Sequence, residues 1–294
     1  MTDAPAVPAG SRSSTAGYGG WTVMIAFALV CAATQLLWLT FAAVTTETAH
    51  HYGVSVTAVG WLAEIFPLLY VVLAIPAGIL LDRWFRPVLT TGGLLVGLGG
   101  LIRLGGDTFA WVMAGQVIVA VAQPVVLSAI GKLAGERLPL HERAAGISLG
   151  SAGSFVGMVA ALVLGPTLGG DGHLERLMAV QAALAVAAAL ALTLALRLPA
   201  RESDHEHAAI AGNAARRLWA LPTMRALCGL VFIGFGVFVA LATWLQTLLQ
   251  PEGVSESAAG ALLVGMVLAG VVGCAALPPL LERRGSERRF MRVA

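Results

Sequence analysis

The sequence predicts an all-α membrane protein made of two parallel helical repeats, and three observations carry that prediction. The first is composition: of 294 residues 58% are hydrophobic and only 12% charged, with a mean hydropathy of +0.84, whereas charged residues make up roughly a quarter of an ordinary soluble chain. The charges bunch between apolar runs of about 20 residues, the length that crosses a hydrocarbon core. These runs are apolar all round and do not alternate, so each must satisfy its own backbone as a helix and not as a barrel strand. The second observation is that Arg and Lys fall in alternate loops. The third is a duplicated stretch: GVSVTAVGWLAEIFPLLYVVLAIPAGILLDR from Gly53 to Arg83 returns as GVSESAAGALLVGMVLAGVVGCAALPPLLER from Gly253 to Arg283, with no gap and 12 of 31 positions identical.

Taken in order, residues 1–20 read as a flexible cytoplasmic tail, with one Arg and no apolar core of the kind a signal peptide needs. Spans are expected over 21–44, 56–81, 88–106, 109–133, 143–166, 176–198, 225–249 and 257–281. The first six, residues 21–198, form an N-terminal half. The polar interval 199–224 is a central cytoplasmic linker. Residues 225–294 give the first two helices of a second half and the start of a ninth span, so about 8 of 12 helices are expected and the second half is read as truncated.

Orientation follows from the basic residues, because positive loops stay in the cytoplasm. Arg83 and Arg86 follow the second span, Lys132, Arg137 and Arg143 the fourth, Arg197 and Arg201 the sixth, and Arg283 and Arg284 the eighth. The intervening loops carry Glu47, His50, His51, Glu252 and Glu256, with Arg103 and Arg176 the only cations toward that side. The N-terminus is therefore expected in the cytoplasm, and a plasma or bacterial inner membrane is the expected location. Both copies of the repeat start at the Arg-poor side and end at the Arg-rich side, which makes the halves parallel and not inverted.

A few polar side chains inside spans are candidates for function. Glu64 is a carboxylate well inside the second span, where it is expensive unless it faces a wet cavity or a partner. It reads as a proton-coupling site or the counter-ion of a cationic substrate; the plainer alternative is an ion pair with Arg103. Trp38 is either an interfacial belt residue or, with Gln35 nearby, part of a cavity where its ring would attract a quaternary ammonium. Gln116 and Gln123 share a face of the fourth span beside Pro124. Helix-to-helix hydrogen bonding is preferred for Gln116.

Other features carry less. Ser148, Ser151 and Ser154 with their interspersed glycines read as a close-packing face. His205 and His207 in ESDHEH read as a solvated linker and not as metal ligands. Cys31, Cys228 and Cys274 all fall in spans, where a thiol packs as a small apolar group. There is no GxxxxGK[ST] loop for nucleotide. No cofactor, metal, nucleic acid or enzymatic activity is expected.

These residues resemble the major facilitator superfamily. Its signature between the second and third helices is matched by GILLDRWFRP, with Gly78, Asp82, Arg83 and Arg86 in place and Phe85 where Gly is usual. A weakened copy is LERRGSERR, with Glu282, Arg283 and Gly285, and Pro278 in place of the first Gly. The resemblance implies two six-helix halves and a conformational-switch turn in which a small residue lets helices approach and the carboxylate ties to Arg. The GPxxGG pattern associated with drug/proton antiporters is similar to Gly165, Pro166, Gly169 and Gly170, with Ala161 replacing an earlier Gly. It supports the superfamily and not antiport in particular.

Within the superfamily, Trp38, Tyr52-Gly53-Val54-Ser55, Trp61-Leu62, Tyr70, Pro76, Gly115, Gln116 and Ala122-Gln123 resemble the branch of the feline leukaemia virus subgroup C receptor proteins. That resemblance implies a central cavity lined by Trp38 and Gln123 and a choline- or ethanolamine-type substrate. It places Phe238, or a neighbour, where the branch has a cavity Tyr.

The function expected is secondary active transport by alternating access, with a small organic cation or amine as substrate and a proton or another ion as coupling partner. A proton-coupled neutral or anionic metabolite is the alternative substrate. A truncated membrane protein that acts as a receptor or binding partner, or is inactive, is the alternative function.

Overall fold

The computed structural model describes residues 16–170, 172–199, 219–255 and 258–270, and none of them lies in a strand. The helices are α1 (Ala16–Trp38), α2 (Thr45–Tyr52), α3 (Val56–Arg83), α4 (Phe85–Ile102), α5 (Phe109–Arg137), α6 (Arg143–Gly169), α7 (Leu174–Ala195) and α8 (Pro222–Leu249), followed by α9 (Ala258–Gly270). Among the described residues seven helices are long and apolar enough to cross a membrane; α2 and α9 are shorter. Residues 1–15, most of the central linker with His205 and His207, and the close of the second repeat with Cys274, Pro278, Glu282, Arg283 and Gly285 lie outside the described residues.

Both ends of the first span differ from expectation. α1 begins at Ala16, inside the stretch read as tail, and Trp21 anchors this end by donating from Nε1 to Glu142 Oε2 at 2.7 Å. α1 then stops at Trp38 and does not run on to residue 44. Side chains take over the carbonyls of its last turn: Thr40 Oγ1 donates to Leu36 O and Leu37 O at 3.0 Å each, and Arg103 Nη2 donates to Leu37 O at 2.5 Å. The chain continues in tight turns, Ala42 N to Leu39 O and Val44 N to Phe41 O at 3.2 Å each, into the unexpected α2.

α1 packs against α5, α6 and α7, with α3 and α4 on α5. Its contact with α6 uses small residues, though only part of the run read from the sequence, since Ser148 is exposed and Ser154 buried: a Cβ on Gly153 or Gly157 would strike the carbonyl oxygens of Ala28 and Ala32. Backbones this close supply the van der Waals contact that drives helix association in lipid, where no hydrophobic effect operates between helices. α6 passes through Pro166 to Gly169 unbroken.

Basic residues close several helix ends. Lys132 Nζ donates to Leu81 O at 2.8 Å and to Asp82 Oδ1 at 3.0 Å, at the end of α3. Arg137 donates to Leu198 O at 2.9 Å, just beyond α7. A cation there meets both the unpaired carbonyls of a last turn and the negative end of the helix dipole.

The two copies of the repeat fold alike as far as they are described. Gly53 and Gly253 both take the left-handed conformation, φ 62° and 76°, which glycine adopts without a Cβ penalty. Ser55 and Ser255 then cap the next helix, their Oγ atoms accepting from Ala58 N at 3.2 Å and Ala258 N at 3.3 Å. The packing is reciprocal too. Gly60 of α3 receives the ring of Trp244 from α8, 2.9 Å from where a Cβ would stand, while Gly260 of α9 faces Ala43 beyond α1 at 3.7 Å. Each copy thus rests on the chain leading into the other, as a two-fold relation requires.

Candidate functional site

Four of the candidate residues meet at one cavity of about 590 Å3 between α1, α3, α5, α6 and α8. Gln35 and Trp38 come from the last turn of α1, Glu64 from α3 and Gln123 from α5. Tyr70, Phe235 and Trp244 add aromatic surface.

Trp38 is 3% exposed, which removes the belt reading. Its Nε1 donates to Ala63 O at 3.0 Å, a carbonyl of α3, and its ring lies tilted against Phe66 at 6.1 Å and Phe235 at 6.3 Å between centroids. Gln123 Nε2 donates to Gln35 Oε1 at 3.3 Å across the same wall. Glu64 is half-buried and lines the cavity without an ion-pair partner among the described residues. A carboxylate held there retains its attraction for a positive group, because neighbouring protein shields it from water more than an exposed side chain is shielded.

The pairing of Glu64 with Arg103, weighed from the sequence, is not formed. Arg103 is wholly buried and spends its guanidinium on Leu37 O, on Thr40 Oγ1 at 3.0 Å and on Gln116 Oε1. Gln116 in turn donates to Leu62 O at 2.9 Å, the helix-to-helix role expected of it.

Phe238 stands behind the wall: it stacks on Phe235 at 6.1 Å, and it is Phe235, one turn earlier, that reaches the cavity. Sequence reasoning did not single out Phe235 or Trp244. A stripe of Phe232, Phe235 and Val239 on α8 was the available signal for Phe235, but in a helix this apolar such a stripe has little polar face to set its phase, and Trp244 lies off it.

The switch-turn residues are arranged differently from expectation. Asp82 takes Lys132 as its partner, at 3.0 Å, and not Arg83, because consecutive residues on a helix do not face each other. Arg83 turns over the Trp84 ring, 4.7 Å from its centroid, and Arg86 is exposed. A Cβ on Gly78 would meet nothing within 4 Å among the described residues.

At the Arg-poor end His51 Nε2 and Asp107 Oδ1 lie 3.2 Å apart. Beside them burial pushes the Tyr52 phenol up to about 12, the carboxylates of Asp107 and Glu175 adding to the shift.

Comparison with known proteins agrees with this architecture. The chain is 29% identical over 289 residues to solute carrier family 49 member A3 of Danio rerio, covering 93% of this chain and 60% of that protein. It is 27% identical over 152 residues to the choline/ethanolamine transporter FLVCR2 of Homo sapiens, covering 50% of this chain and 29% of that one. The chain therefore spans 60% or less of the length of these relatives. Its fold matches a bacterial homologue of the human lysosomal transporter Spinster, solved inward-facing and unoccupied, with a TM-score of 0.73 at 20% identity over 96% of this chain and 65% of that one. The profile of the Major Facilitator Superfamily matches residues 15–294, and with its paired repeats and cavity between helices the chain belongs to that superfamily, in which it is similar to the feline leukaemia virus subgroup C receptor-like branch.

Proposed function

We propose that the protein is a secondary transporter that carries a small organic cation or amine through this cavity by alternating access. The observation that carries the reading is the charge balance of the wall: one carboxylate, Glu64, stands among Trp38, Tyr70, Phe232, Phe235 and Trp244, and the described lining holds no Arg, Lys or His. Aromatic faces attract an ammonium through their quadrupole, and a carboxylate without a basic partner completes that attraction. The same balance repels an anionic solute. That the human relative is a choline/ethanolamine transporter agrees with this chemistry.

The buried residues of α8, Val239, Ala242, Thr243 and Gln246, lie in its second half, where Thr45 N donates to Gln246 Oε1 at 3.1 Å; a contact between the two repeats at one end of the helices is of the kind that alternating access would make and break.

Uptake of radiolabelled choline into liposomes containing the purified protein tests the reading. Saturable uptake that tetramethylammonium competes away, and that falls in Trp38→Ala and Glu64→Gln, is expected. Uptake unchanged in both variants would remove the cavity from the function.

A further inference from the structure

We propose that Arg103 is a positioning residue for cation recognition: it fixes Trp38 and Glu64 against each other without touching the cavity. This rests on the reading of the cavity as a cation site. Arg103 does not line the cavity, yet it belongs to a closed circuit of hydrogen bonds that does.

The circuit can be followed bond by bond. Arg103 Nη2 donates to Leu37 O at 2.5 Å and also to Gln116 Oε1. Gln116 Nε2 donates to Leu62 O at 2.9 Å. Trp38 Nε1 donates to Ala63 O at 3.0 Å. Leu37 and Trp38 are consecutive, as are Leu62 and Ala63, so the ring closes through two stretches of main chain. The aromatic face of the cavity hangs from one stretch, and Glu64 directly follows the other. Leu37, Leu62, Arg103 and Gln116 are all 0% exposed.

A buried guanidinium with no carboxylate partner among the described residues is costly as mere filling. Here it does two specific things. Its charge sits at the C-terminal end of α1, where the helix dipole favours a cation, and it donates to Leu37 O, one residue before the helix closes at Trp38. Its planar fork serves α1 and α5 from a single nitrogen while Nη1 holds Thr40 Oγ1 at 3.0 Å. A lysine, with one compact ammonium, cannot reproduce that fork. Recognition between an aromatic face and a carboxylate depends on their separation, and a displacement of about 1 Å at such a site is enough to cost up to 100-fold.

The experiment uses protein labelled with 5-fluorotryptophan, the Trp38 19F resonance being assigned by its loss in Trp38→Phe, together with choline uptake kinetics. Gln116→Met opens the circuit while leaving the bond from Arg103 to Leu37 in place. It should shift or broaden the Trp38 resonance and raise the half-saturating choline concentration about tenfold, with the maximal rate changed less than about twofold. Arg103→Lys should act in the same direction. In a Trp38→Phe background, where the circuit is already open, Gln116→Met should add less than about twofold.

An unchanged Trp38 resonance in both Gln116→Met and Arg103→Lys, or penalties that multiply in full in the double variant, overturns the proposal. If wild-type protein takes up no choline, the cation reading fails instead, and the resonance still decides whether the circuit positions Trp38. Should Gln116→Met fail to fold, Arg103→Lys carries the same two readouts.

Discussion

Arg103 and Lys132 each set a cation on the terminal carbonyl of a neighbouring helix, Leu37 of α1 in one case and Leu81 of α3 in the other. Lys132 does so at the Arg-rich end and shares its charge with Asp82, whose side chain is 67% exposed. Arg103 does so at the Arg-poor end, buried and with only neutral partners among the described residues. The difference shows how one device, a base at a helix terminus, serves two ends. Where water and a carboxylate are available the contact is replaceable. Where they are not, several helices depend on one side chain.

Removing the buried member should have the largest effect on stability. Arg103→Met leaves Gln116 Oε1 and Thr40 Oγ1 without the donor they accept from and takes one of two donors from Leu37 O, and buried acceptors left unpaired cost about 1–3 kcal/mol each. A lowered thermal unfolding midpoint in detergent is the expected result, and an unchanged one would show that the Arg-poor end does not rely on Arg103.

The next effect concerns how α8 is seated at that same end. Gly60→Val would drive a side chain into the Trp244 ring, already 2.9 Å from the position of a Cβ, at a cost of about 1–3 kcal/mol. Trp244→Ala in the same protein should recover most of the loss. If it recovers nothing, the close approach of α3 and α8 is not what Gly60 provides.

The smallest effect belongs to the member that is paired with an exposed carboxylate. Lys132→Met should change stability by about 1 kcal/mol or less, since exposed ion pairs contribute little, and raised salt should mimic much of the change. A loss as large as that of Arg103→Met would erase the distinction between the two ends.

Much of this was legible in the sequence because it rests on local pattern. Apolar length gave the helices, the spacing of Arg gave alternating ends, and the GVS opening of the repeat encodes a left-handed glycine and a serine cap that both copies form. The convergence of Trp38 and Gln123 was legible through the family resemblance, while Gln35 was read from its nearness to Trp38 and Glu64 from the cost of a carboxylate inside a span; spacing alone does not join them, because they come from three helices.

What was not legible depends on side chains distant in sequence. The stretch after Trp38, LTFAAV, contains neither Gly nor Pro; it leaves the helix where Thr40 and, 66 positions away from Leu37, Arg103 both donate to Leu37 O. The partner of Asp82 was missed for the same reason, since Lys132 lies 50 positions away. The choice of Phe235 over Phe238 turned on the rotation of α8, which a helix without a polar face does not reveal.

The central claim is that an aromatic wall with a single carboxylate admits a cation, and uptake of radiolabelled choline into liposomes tests it most directly. The account predicts saturable uptake by the wild-type protein, competed by tetramethylammonium, and reduced at least about tenfold in Glu64→Gln and in Trp38→Ala through loss of charge pairing and of the cation–π contact. Full uptake in both variants, or no uptake by wild-type protein that is folded and correctly inserted, would contradict it.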